Sequence, residues 1–121
     1  MIDRKAYNSI SYSISIVGSL QDGKYRGCVV NSLQQLTSSS PAKFAVTLNK
    51  YNLTEAAVEQ TGAFCATVAA ADCPHDIINL FGYKSGRITD KFAAYDTKTD
   101  DAGCPYITDG MCARLSFRVV Q

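Results

Sequence analysis

A small β-barrel is the fold class that this sequence of 121 residues predicts. Short runs of alternating apolar and polar residues recur along it, turn residues separate them, and only two brief stretches have helical periodicity. No GxGxxG follows a strand pattern and no GxxxxGK[ST] occurs, so a βαβ nucleotide fold is not indicated.

Each element follows from its residues. Ile10, Tyr12, Ile14 and Ile16 alternate with Ser9, Ser11, Ser13 and Ser15, which predicts a first strand with one buried face. Gln21, Asp22, Gly23 and Lys24 read as a hairpin turn, with Gly23 free to take a positive φ. Residues 25–36 form a second strand, bulged or bent where Gly27, Asn31 and Ser32 interrupt it. Past Pro41, residues 43–49 set Phe44, Val46 and Leu48 on one strand face. Residues 52–61 read as a helix, with Asn52 as N-cap, Glu55 in its first turn and Gly62 just past its end. Phe64, Ala66 and Val68 open another strand. Pro74 suits the first position of a second helix, whose apolar residues are Ile77, Ile78 and Phe81 and which Gly82 ends. From Tyr83 the chain is looplike, with an acidic surface loop at 97–103 that holds Asp100 and Asp101. Asp109 and Gly110 signal a hairpin into the last strand, where Met111, Ala113, Leu115, Phe117 and Val119 share a face. No repeat or linker divides residues 1–121, which read as a single domain.

Composition excludes several classes. A formal charge of +1 without a Lys/Arg cluster argues against a nucleic-acid surface. No apolar run is long enough for a bilayer span, and residues 1–9 lack the pattern of a signal peptide, so a cytoplasmic protein is expected. Cys28, Cys65, Cys73, Cys104 and Cys112 contain no CxxC pair, and His75 is the only histidine. Free thiols fit that spacing better than a zinc site or a redox dithiol, with a disulfide between two of them left open. His75 has no nucleophile beside it in sequence and reads as a surface residue; Asp100 and Asp101 lack the ligand count of a calcium loop. The tyrosines and phenylalanines read mostly as core or dimer interface, with Tyr51 and Tyr83 also placed to flank a ligand.

The densest polar stretch is residues 31–54, NSLQQLTSSSPAKFAVTLNKYNLT. Thr37, Ser38, Ser39 and Ser40 form a donor-rich turn, Asn49 and Lys50 end a strand, and Asn52 opens a helix whose free N–H groups favour an anion. Such a set makes a phosphate cradle, and equally a solvated serine-rich turn.

The pieces GCVVNSLQQLTSSSP, FAVTLNKYNLT, TGAF and FGYKSGRITDKF, in that order, resemble the flavin reductase-like domains that adopt the FMN-binding split barrel. Among them the sequence is most similar to flavoproteins that pass electrons to rubredoxin-type carriers in anaerobes. The resemblance covers nearly the whole chain. It implies a mainly β split barrel with two or three short helices, forming a homodimer with FMN at the subunit interface. Asn31, Ser32 and Leu33 would lie beside the flavin ring, and Thr37, Ser38 and Ser39 would hold the phosphate. Asn49, Lys50, Asn52 and Thr54 would cover the ligand, while Ser85, Arg87 and Lys91 would close the site and balance its charge. Relatives continue past the strand that ends here at Gln121, which implies a shortened chain or a barrel completed by the dimer partner. The chemistry agrees with this assignment. A phosphate takes hydroxyl donors, here Thr37, Ser38, Ser39 and Thr54, and cations, here Lys50, Arg87 and Lys91.

The function so implied is electron or hydride transfer from NAD(P)H or an upstream donor to a small redox partner or free flavin, with FMN carrying the chemistry and no acid–base residue required. The competing reading is a non-catalytic dimerisation or binding module with the same core. Haem is disfavoured, since His75 alone would have to ligate it.

Overall fold

The computed structural model describes residues 4–9, 12–85 and 89–120. In chain order the strands are β1 (Ser15–Gln21), β2 (Lys24–Val30), β3 (Gln34–Gln35), β4 (Phe44–Ala45), β5 (Ala63–Ala69), β6 (Lys98–Thr99), β7 (Pro105–Tyr106) and β8 (Met111–Arg118). Helix α1 (Leu53–Thr61) precedes β5 and α2 (His75–Tyr83) follows it; Arg4–Ser9 and Lys91–Ala94 are short 3-10 turns. The main sheet is antiparallel in the order β2-β1-β5-β8, and β3-β4 and β6-β7 form separate two-stranded pairs. The sheet is open, with β2 and β8 at its edges.

β1 lies at the centre and is buried on both faces. Val17 joins Cys28, Val30, Val58, Phe64 and Ala66 on the α1 side, whereas Ile16 joins Ile77, Phe81, Phe92 and Ile107 on the α2 side. This corrects the first-strand expectation: the strand starts at Ser15, and Ile16 and Val17 are both core residues. A strand covered on two faces reads as a continuous apolar run, so the alternation before it was misleading. Tyr12 and Ile14 are exposed, and residues 10 and 11 lie outside the described residues. Phe81 and Phe92 meet edge to face at 4.9 Å, and burying each ring stabilises the fold by roughly 1.5–3 kcal/mol. Gly27 makes room for them, since a Cβ there would stand 2.8 Å from the Phe92 ring.

Local chemistry explains the elements. α1 is capped as the sequence indicates: the Asn52 side chain accepts the Thr54 N–H at 2.8 Å, and Gly62, at φ 73°, donates its N–H to the Val58 carbonyl. In α2 two expectations are corrected. Pro74 is the N-cap rather than the first helical residue, and Gly82 lies inside the helix, which runs to Tyr83. Gly82 is a packing position, where a Cβ would touch Val29 at 3.4 Å.

Other boundaries shift for similar reasons. β2 ends at Val30 and the chain bends at Asn31, which realises the interruption read at that point. Of residues 43–49 only Phe44–Ala45 pair as a strand, yet Val46 and Leu48 still pack against the α1-side core. Gly110 makes a turn at φ 73°, but it is not a β-hairpin, because β7 pairs with β6 and β8 with β5. Asp100 is an anchor and not simply solvated: its carboxylate accepts the Ala102 and Cys104 N–H groups at 3.0 and 2.9 Å and the Ser116 hydroxyl at 2.7 Å. Tyr12, Tyr25, Tyr51 and Tyr83 are exposed, and among the described residues the buried aromatics are Phe64, Phe81 and Phe92. All five cysteines are free thiols, with Cys28, Cys65 and Cys104 buried.

Candidate functional site

The free edge of β2 builds the site. Asp22 and Gly23, at φ 50° and 78°, form a two-residue loop, so Gln21 and Lys24 close the β1-β2 hairpin as a mutually hydrogen-bonded pair. In an antiparallel ladder such pairs alternate with unbonded ones. Arg26, Cys28 and Val30 therefore turn their peptide groups towards β1, while Tyr25, Gly27 and Val29 turn theirs outward. The Lys91 ammonium, which donates to the Gly27 carbonyl at 2.8 Å, agrees with this register.

Against that edge lies a cavity of about 430 Å³, within the size range of cofactor clefts. Cys28, Val29 and Val30 form its strand wall, Ile78, Gly82 and Tyr83 its α2 wall, and Thr47, Leu48 and Asn49 its far side. Asn31, Ser32 and Asn52 add polar groups. A smaller chamber of about 210 Å³ adjoins it across Asn52 and Gly82, lined by Thr54, Lys84, Ser85 and Lys91 and by the first residues of α1. An apolar wall with an unpaired peptide edge, leading to a polar chamber at a helix N-terminus, suits a planar heterocycle with an anionic tail.

Not every residue singled out in the sequence converges here. Asn31, Ser32, Asn49 and Asn52 line the cavity, and Asn52, Thr54, Ser85 and Lys91 line the chamber. Ser32 also ties together the two segments that flank the β3-β4 pair, since its hydroxyl donates to the Thr47 carbonyl at 3.0 Å and accepts the Thr47 N–H at 3.1 Å. Leu33 packs against the α1-side core, and Lys50 stands 5.2 Å from the Tyr51 ring. Thr37, Ser38 and Ser39 line neither space. Thr37 accepts the Lys43 N–H at 3.0 Å and pairs with the Ser39 hydroxyl at 3.1 Å, closing the β3-β4 tip on itself. Arg87 lies outside the described residues.

Other lining residues escaped the sequence reading. Val29, Gly82 and Lys84 stand inside the pieces GCVVNSLQQLTSSSP and FGYKSGRITDKF without being singled out there; the two-residue hairpin loop sets the Val29 register, but only the sheet order makes β2 an edge. Cys28, in the strand wall of the cavity, has its thiol pushed up by burial, opposed by hydrogen bonding to Thr54, by the Lys91 charge and by hydrogen bonding to Asn52. Burial in turn lowers the Lys91 ammonium below the usual lysine range. Among the described residues no three His, Cys, Asp or Glu side chains converge as a metal site, and no helix is long and apolar enough to cross a membrane.

An open antiparallel sheet with flanking two-stranded pairs and a cleft along its first edge defines a split barrel. A solved FMN-binding protein from Thermus thermophilus has this fold, with a TM-score of 0.82 and 19% identity over all of this chain and 66% of its own. The flavin reductase like domain matches residues 7–121, and the chain belongs to that family, whose chemistry is flavin-linked electron transfer. Two relatives are each 36% identical over 120 residues, 99% of this chain: a high molecular weight rubredoxin of Moorella thermoacetica and a ferric-chelate reductase (NAD(P)H) of Archaeoglobus fulgidus. The chain spans 52% of the first and 70% of the second.

Proposed function

We propose that this domain, read as one unit over residues 1–121, binds FMN along the free edge of β2 and relays electrons from a reduced nicotinamide dinucleotide to an iron-containing acceptor. The observation that carries this reading is the outward Val29 peptide beside a cavity that leads to a polar chamber. The pyrimidine end of a flavin alternates acceptors and a donor, which a strand-edge N–H and C=O can match, and Asn31 extends the same rail. Ile78, Leu48 and Gly82 supply flat, apolar cover that keeps water off the ring. The α1 N-terminus, Thr54 and Lys84 would take the phosphate; Thr37, Ser38 and Ser39, with Lys50, are the alternative cradle at the hairpin tip. FMN itself supplies hydride acceptance and single-electron delivery. The protein contributes position, exclusion of water and fixed charge, and Tyr12 and Tyr83 leave the mouth open to a donor or acceptor.

The relatives' names, a rubredoxin and an NAD(P)H ferric-chelate reductase, support an iron acceptor and a nicotinamide donor. Exposed Tyr12, Ile14 and Tyr83 at the mouth favour closure by a second copy of the chain. The test is direct: purified protein mixed with FMN and freed of excess should keep flavin absorbance and quench flavin fluorescence. A colourless protein with unchanged fluorescence would refute the reading and leave the non-catalytic module in its place. NAD(P)H added to the loaded protein should then bleach that absorbance, and mass in solution with FMN should be that of a dimer.

A further inference from the structure

Tyr51 lines the polar chamber at the start of α1, yet its side chain is 76% exposed. A tight turn fixes its place on the rim: the Tyr51 N–H donates to the Asn49 side-chain oxygen at 2.9 Å, and the Asn52 N–H donates to the Asn49 backbone carbonyl at 2.9 Å. Cations gather at the same rim. The Lys50 ammonium stands 5.2 Å from the Tyr51 ring centre, and Lys84 lines the chamber. Both lysines are exposed, and among the described residues neither has a carboxylate oxygen within 4.0 Å. The chamber also has room beyond one phosphate. Its volume of about 210 Å³ equals about seven waters at roughly 30 Å³ each, more than a single phosphate group displaces. A held aromatic ring beside two unpaired lysines and spare polar volume suits a purine joined to a diphosphate, because the base stacks on the ring and the diphosphate takes the cations.

We infer that the Tyr51 rim of the chamber is a subsite for an adenosine diphosphate group, with adenine stacked on the Tyr51 ring and the diphosphate paired with Lys50 and Lys84. The inference rests on the flavin reading above. Two ligands of that chemistry carry the group: FAD, in which it extends the flavin beyond the FMN phosphate, and the reduced dinucleotide donor. In FAD the second phosphate takes the volume that FMN leaves empty. In the donor the same group lies on the rim and directs the nicotinamide towards the ring cavity, which adjoins the chamber across Asn52 and Gly82. Tyr51 takes no part in the chemistry; it selects ligands by their adenine.

The test uses the full chain as wild type, Tyr51→Ala and Tyr51→Phe. Calorimetry gives the affinities for FMN and FAD, and stopped-flow bleaching of bound FMN at rising NADH or NADPH gives the half-saturating donor concentration and the limiting rate. Tyr51→Ala should leave FMN affinity within about twofold of wild type. It should weaken FAD about tenfold, or raise the half-saturating donor concentration about tenfold at an unchanged limiting rate. Tyr51→Phe keeps the ring and should match wild type within about twofold in both. A loss in FAD alone assigns the group to FAD and a loss in the donor alone assigns it to the dinucleotide; either upholds the inference. If neither dinucleotide bleaches the flavin, the FAD titration decides alone. FAD and donor both unchanged overturn the inference. Equal losses of FMN and FAD overturn it too, since Tyr51 would then shape the chamber rather than hold adenosine. A wild-type dimer that dissociates in Tyr51→Ala gives the ring to a second copy of the chain and likewise overturns it. Wild type that binds neither FMN nor FAD refutes the flavin reading itself, and the subsite falls with it.

Discussion

The β3-β4 tip and the start of α1 carry the same kinds of side chain, within one polar stretch, and use them in opposite ways. At the tip, the Thr37 hydroxyl accepts the Lys43 N–H and pairs with Ser39, so hydroxyls satisfy backbone and each other. At α1, Asn52 caps the helix while the first turn faces a chamber shared with Thr54, Lys84 and Lys91. Donors at the tip are spent on the turn itself; at α1 the Thr54 N–H is spent on the cap and Lys91 on two carbonyls, while Lys84 lines the chamber with them. A run of serines therefore says less about ligand binding than a single capped helix opposite an open strand edge.

The largest effect should come from filling the cleft. Gly82→Leu places a side chain between α2 and Val29 and should weaken FMN at least about a hundredfold, roughly 3 kcal/mol, with far-UV circular dichroism unchanged. Ser38→Leu at the tip is the matched control and should leave binding as it was. Fluorescence titration of both variants breaks the comparison if the tip variant is the weaker binder.

Next in size is the phosphate. Thr54→Ala combined with Lys84→Ala should weaken FMN by about 1.5–3 kcal/mol while affecting riboflavin much less, the range for charge-assisted hydrogen bonds. Thr37→Ala combined with Lys50→Ala should leave the ratio of FMN to riboflavin affinity unchanged. The reverse pattern, read in the same titrations, would move the phosphate to the hairpin tip.

Smaller effects separate stability from binding. Asn52→Ala removes the α1 cap and should cost about 1 kcal/mol in urea unfolding together with some FMN affinity. Thr37→Ala should cost about 0.5–1.5 kcal/mol of stability and no affinity. Cys65, buried away from both regions, gives the smallest signal: burial pushes its thiol from 9.0 up to about 11. Between those pH values the unfolded chain ionises while the folded one stays protonated, so stability should fall as pH rises from about 9 and level off near 11. Cys65→Ala should flatten that decline in pH-dependent unfolding, and an unchanged slope would remove Cys65 as its cause.

Local chemistry was the legible part of the sequence. The Asp22–Gly23 turn, the capped α1 and the small β-barrel class follow from short-range signals, since turns and caps are fixed by the residues that form them, whereas the split barrel entered through the family resemblance. What depends on layers was not legible. β1 is central and lost its alternation to burial on both sides, Gly82 looked like a helix stop and is a packing contact, and Asp109–Gly110 joins strands that pair elsewhere. The cleft divides the same way: Asn31, Asn49, Asn52 and Thr54 line it and belong to the polar stretch 31–54 that the sequence marks, whereas Val29 enters through its backbone alone. A valine in a strand offers no chemical signal until the sheet order makes that strand an edge.

The central claim, that the β2 edge is the flavin rail, is best tested by amide hydrogen exchange read by NMR with and without FMN. The Val29 amide, outward and without a strand partner among the described residues, should gain protection of about tenfold or more on FMN binding, while those of Thr37 to Ser39 should not change. Protection gained at the hairpin tip with the Val29 amide still exchanging freely would contradict it.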